Sequence, residues 1–194
     1  MRGDARTPPP NLSPAIRFDD SRRVIASSPY RITWPDLAAR FATTPHRRRL
    51  ADALTRWVKE ADRLVLVEFV WIGGSFVTDA KVPRDLDCVL FYRYRYQIGV
   101  PALRDAFLQQ HAGILTRDGV KAGFGIDAAL IPLSIPVEQL IHMTAYWAMV
   151  FSNSENRKRR AFYSVPARSI LDLPGAHCEA TSSATSTLQG TIRP

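Results

Sequence analysis

The chain has 194 residues, 46% of them hydrophobic, and 26 Lys and Arg against 18 Asp and Glu leave a formal charge of +8. That length fills one α/β domain but not two, and the basic excess favours anionic partners such as nucleotides or RNA. Cys88 and Cys178 make neither a disulfide framework nor a zinc pattern, and the most apolar run, Leu64 to Ile72, is broken by Glu68 and is too short to span a bilayer; a reducing cytoplasm is expected, without membrane insertion.

Residues 1–28 are rich in Pro, Arg and Ser and read as a disordered arm, 29–170 as the folded domain, and 171–194, rich in Ser and Thr, as a disordered tail. Thr33 to Phe41 suits a short helix. Thr44 and Pro45 then set the N-cap and first position of a longer one, in which Leu50, Ala53, Leu54, Trp57, Val58 and Ala61 form one apolar stripe ending near Asp62, with Arg47, Arg48 and Arg49 in the first turn. Leu64 to Ile72 is a strand stopped by Gly73 and Gly74, and Leu86 to Tyr92 is a second strand that pairs with it. Pro101 to His111 reads as a helix with Leu103, Ala106, Phe107 and Gln110 on one side and Gly113 as its C-cap, followed by a third strand from Gly125 to Leu133. Val137, Leu140, Ile141, Thr144, Ala145, Trp147, Ala148 and Phe151 give a last helix that runs into Arg157 to Arg160. The expected fold is α/β (α+β): a mixed sheet of about three to five strands flanked by helices, with a C-terminal helix.

The stretch from Trp71 to Leu90, WIGGSFVTDAKVPRDLDCVL, carries the chemistry. Side chains alternate along a strand, so Asp85 and Asp87 are expected on one face, with Leu86, Cys88 and Leu90 on the other. Asp127, isolated ahead of an apolar strand, adds a third carboxylate. Two such charges about 4 Å apart repel by roughly 4 kcal/mol at an effective dielectric near 20, so three demand a counter-charge. A hard divalent cation, Mg²⁺ or Mn²⁺, fits oxygen ligands shared with substrate phosphates. Gly73 and Gly74 let backbone amides around Ser75 approach phosphate oxygens, and the Ser75 hydroxyl reaches the same oxygens.

A hydrophobic strand, a Gly-Ser turn, an Asp-x-Asp strand and a later lone Asp, in that order, resemble the DNA polymerase β-type nucleotidyltransferase superfamily, in particular its minimal stand-alone bacterial members. The resemblance covers about Leu64 to Leu133. It implies that Gly74 and Ser75 bind a nucleoside triphosphate such as ATP, that Asp85 and Asp87 bind metal, and that Asp127 completes the catalytic triad. The reaction implied is Mg²⁺-dependent transfer of a nucleoside monophosphate to a hydroxyl of a small molecule, RNA or protein. After Asp127 there is room for little more than one long helix, whereas larger relatives carry a further helical domain.

Other residues have plainer readings. Lys81, in the loop between turn and Asp strand, is a candidate phosphate contact, but an exposed loop lysine is the preferred reading. Tyr92, Tyr94 and Tyr96, alternating with Arg93 and Arg95, suit single-stranded nucleic acid or a half-buried edge strand. Arg157 to Arg160 read as a solvated helix end. His46, His111, His142 and His177 show no metal spacing. Two other functions fit the motifs: a non-catalytic binding module with a protein partner, such as the antitoxin-like half of a toxin–antitoxin pair, and a metal-dependent glycosyltransferase, which gives Gly74, Ser75 and Asp127 no role.

Overall fold

A computed structural model describes residues 28–96, 101–153 and 161–173. Residues 1–27 of the expected arm, 174–194 of the expected tail and Arg157 to Arg160 lie outside the described residues, His177 and Cys178 among them, whereas Leu171 and Leu173, expected in the tail, pack against the core.

After β1 (Tyr30–Arg31), the Thr33 side chain accepts the Asp36 amide and starts α1 (Trp34–Phe41). Thr44 does the same for the Arg47 amide at the head of α2 (Pro45–Leu64), which runs two residues past the expected end. Ala53, Leu54, Trp57, Val58 and Ala61 are buried along its inner face, with Leu50 half-buried beside them.

β2 (Val65–Gly73) pairs antiparallel with β3 (Asp87–Tyr94), from Val65 opposite Tyr94 to Gly73 opposite Asp87. A bulge at Glu68 shifts the register between Val67 and Phe69. It changes the parity of the strand: Val65 and Val67 pack toward α2, and beyond the bulge Val70 and Ile72 do so, leaving Phe69 and Trp71 to the other face. Three helices follow: α3 (Pro101–Gln110), α4 (Ala112–Leu115) and α5 (Arg117–Phe124). They form the crossover that a parallel neighbour requires, and β4 (Asp127–Pro132) lies parallel to β3. After α6 (Val137–Ser152) the chain returns as β5 (Tyr163–Pro166), between β1 and β2, and ends its described part in α7 (Arg168–Leu171). The sheet is mixed, in the order β1-β5-β2-β3-β4.

The mixed α/β sheet flanked by helices is as expected, and several local expectations are corrected. β5 and β1 are too short to give a periodic signal, yet they extend the sheet beyond β2, so α6 is followed by a strand. Gly113 lies inside α4 and caps nothing; Gly125, with φ of 71°, is the left-handed C-cap of α5, so the third strand starts at Asp127. On α3, Leu103, Ala106 and Gln110 are exposed, while Phe107 and Leu108 pack against the core. β3 is interior, not an edge: Tyr92 is buried, Tyr94 packs edge-on to Phe107, and only Tyr96 stands clear of the protein. Arg93 pairs with Glu68 and Arg95 with Asp62.

The two faces of the sheet bury separate clusters. Leu54, Trp57, Ile72, Cys88 and Leu90 pack under α1, α2 and α5, where burial pushes the Cys88 thiol well above its usual pKa. Trp71, Val89, Phe91, Ile131 and Phe162 pack with Phe151 of α6. Among the described residues no helix is long and apolar enough to cross a membrane.

Candidate acidic cleft

Strand alternation places Asp87, Val89 and Phe91 toward α6, and Cys88 and Leu90 toward α2. Asp127 is the register partner of Asp87 on the adjacent parallel strand, so the two carboxylates leave the sheet on the same face, at the same end. The Asp127 amide donates to the Leu86 carbonyl at 3.0 Å and fixes that register.

β2 ends beside them. Gly73 and Gly74 open a single 3-10 turn, Gly74–Val77, and both glycines are needed. A Cβ on Gly73 would stand 2.6 Å from the Phe151 ring, which closes over it; Gly74 has φ of 67°, and a Cβ there would lie 1.8 Å from Asp87 Oδ2. Gly74, Asp87, Arg117 and Asp127 form the polar side of a cleft of about 370 Å³ whose apolar side is Tyr146, Trp147, Val150 and Phe151 of α6.

Asp85 lies just ahead of β3, with Leu86 after it packed beside Cys88 and Leu90 as expected. It is 7% exposed and binds Lys121 of α5, Nζ to Oδ2, at 2.7 Å. Arg84 stands 3.7 Å from the same oxygen. Asp127 takes two hydrogen bonds from Arg117, at 2.8 and 3.1 Å, and lies 3.9 Å from Lys121 Nζ. Asp87 has no ion pair or side-chain hydrogen bond among the described residues.

Their acidities follow. Burial, then the charges of Asp85 and Asp127, hold the Asp87 carboxyl above its usual pKa, against the pull of Lys121 and Arg84. The Arg117 hydrogen bonds hold Asp127 below its usual pKa, and Arg117 is raised in return. The three acids do not form a ready metal cage: no group of three or more His, Cys, Asp or Glu among the described residues is arranged to hold an ion. Hard oxygen donors and an unpaired, partly buried Asp87 nevertheless suit a divalent cation, provided the two basic side chains give way.

Ser75 and Lys81 are not brought to this cleft. The Ser75 carbonyl accepts from the Thr78 amide and hydroxyl, and its side chain is not part of the lining. Lys81 lines a second hollow, of about 360 Å³, with Arg40, Thr43 and Thr44. His46 Nε2 is 2.7 Å from the Pro83 carbonyl, consistent with a structural role.

The sequence reading missed two elements of the site. Arg117 and Lys121 lie four residues apart on one face of α5, a helix signalled by Thr116 as N-cap and Gly125 as stop. Arg47, counted only among the basic residues of the first turn, is 4% exposed and donates to the carbonyls of Phe41, Phe76, Thr78 and Ala80. It thereby ties the turn and the loop after it to α2.

Fold and site together define a mixed α/β domain with an acidic cleft at the starts of two parallel strands. Residues 11–166 match a family described as one of unknown function, DUF6932, and the chain belongs to that family. The match begins inside the segment read from sequence as an N-terminal arm. No curated protein and no solved structure matches the chain.

Proposed function

We propose that this protein is a Mg²⁺-dependent nucleotidyltransferase that moves a nucleoside monophosphate from a nucleoside triphosphate to a hydroxyl acceptor. The observation that carries this reading is the register pairing of Asp87 with Asp127 beside the left-handed Gly74, at the mouth of a cleft. Asp87 and Asp127, with Asp85 behind them, would hold the metal. When bound, it supplies Lewis acidity toward the acceptor oxygen and the leaving pyrophosphate.

The chain's own residues do the rest. The Gly74 turn brings backbone close to the phosphates without a side chain in the way. Tyr146 and Trp147 line the apolar wall, an aromatic surface suited to a nucleobase. Once free of Arg117, Asp127 can accept the acceptor's proton. Labelled-nucleotide transfer by the wild type and Asp87→Ala, with and without Mg²⁺, tests the assignment; equal incorporation by both proteins would refute it.

A non-catalytic binding module has its own support. Asp85 and Asp127 are already paired with basic groups, and α6 exposes Val137, Ile141, Tyr146 and Met149. A stoichiometric protein that co-purifies with the chain, together with no transfer under Mg²⁺ or Mn²⁺, would favour that reading.

A further inference from the structure

Three acids with two paired partners leave a particular imbalance. Lys121 Nζ lies 2.7 Å from Asp85 Oδ2 and 3.9 Å from Asp127 Oδ2, and Arg117 donates to both oxygens of Asp127. The central acid, Asp87, receives neither. Both cations come from one helix, and their side chains keep 46% and 63% of their surface in solvent. Neither has an ion pair or side-chain hydrogen bond outside these acids among the described residues, so swinging outward breaks only contacts to the carboxylates that a cation would take over. α5 does not depend on them: its Thr116 cap, buried Val120 and left-handed Gly125 hold it in place.

We infer that Lys121 and Arg117 are resident counter-ions of the acidic cleft, which a divalent cation displaces, and that the released Arg117 then binds the nucleotide's phosphates. The inference rests on the nucleotidyltransferase reading and adds to it two side chains and an order of events. The Arg117–Asp127 pair is exposed and therefore weak, because solvent screens it and a long side chain loses freedom in making it, whereas Lys121 meets a buried Asp85 and yields only to a cation that takes over that charge. A doubly charged ion able to meet Asp87 as well is a stronger counter-charge than one ammonium. Arg117 already lines the cleft with Gly74 and Asp87, and its planar fork suits phosphate oxygens as well as it suits Asp127.

The two basic residues therefore differ in a measurable way. Mn²⁺ binding to the full chain, followed by the electron paramagnetic resonance of the free ion, should tighten on the order of tenfold in Lys121→Gln and Arg117→Gln, by relief of competition. In the presence of Mn²⁺, ATP should bind Arg117→Gln on the order of tenfold more weakly, while Lys121→Gln keeps its affinity. Arg63→Gln, which removes the same charge from an exposed pair with Glu60 on α2, controls for net charge and should match the wild type. Equal or weaker Mn²⁺ binding by both variants, with the wild type binding Mn²⁺ in a manner abolished by Asp87→Asn, overturns the displacement and leaves the nucleotidyltransferase reading standing. If neither the wild type nor the variants bind Mn²⁺, both fail together.

Discussion

Gly74 and Asp87 occupy one another's space: Asp87 Oδ2 lies 1.8 Å from the point where a Cβ at position 74 would be, and φ at Gly74 is 67°. Any side chain there must evict the carboxylate and strain the backbone at once. Gly74→Ala should therefore destabilise the fold by more than about 1 kcal/mol and abolish Mn²⁺ binding. Thermal unfolding and metal titration of the purified variant check it; a variant that keeps wild-type affinity for Mn²⁺ would show that Asp87 is free to move.

Asp87 and Asp127 should leave opposite marks on stability as pH changes. Because the folded state raises the Asp87 pKa, its contribution is fully present only at acidic pH and is lost as pH rises through the raised value. Asp87→Asn should thus be more stable than the wild type at pH 7, by about 0.5–2 kcal/mol, with the gain vanishing at acidic pH. Asp127 is lowered by Arg117, so its contribution exists above the usual carboxylate pKa and is lost as pH falls through the lowered one. Arg117→Gln should flatten that acid limb. Denaturant midpoints across the acid range, with EDTA present, separate the two effects.

Much of this site is legible in the sequence, because strand parity and a Gly-Gly turn are local signals. Asp87 and Asp127 each precede an apolar run, and the face they share follows from alternation once the strands are neighbours. Asp85 lies ahead of the strand, yet Leu86 packs with Cys88 and Leu90 as alternation predicts; what the local pattern does not carry is the ion pair that occupies Asp85. Lys121 is hidden for a different reason: its partner Asp85 is 36 residues away, and no periodicity links them. The bulge at Glu68 and the four-residue β5 are likewise decided by packing against the rest of the sheet.

Arg47 supplies a test of the scaffold independent of the acids. Its guanidinium meets carbonyls from the end of α1, the 3-10 turn and the loop that follows, and removing it strands one buried and three part-buried acceptors. Arg47→Met should cost about 3 kcal/mol and speed proteolysis within residues 78–84 before global unfolding. Arg48→Met, one residue on and exposed, should change neither. Cleavage kinetics below the melting temperature distinguish a loosened loop from a weakened core.

The apolar wall of the cleft separates packing from recognition. Phe151 is 4% exposed, covers Gly73 and touches Phe162, so Phe151→Ala opens a cavity and should cost about 3–5 kcal/mol. Tyr146 lines the same wall but is 55% exposed, so Tyr146→Ala should stay within about 0.5 kcal/mol of the wild type in stability. If a nucleobase stacks there, that variant should raise the KM for the nucleoside triphosphate about tenfold with kcat little changed, since one stacking contact is worth about 1–3 kcal/mol. An unchanged KM would place the base elsewhere and leave the exposed face of α6 to a protein partner.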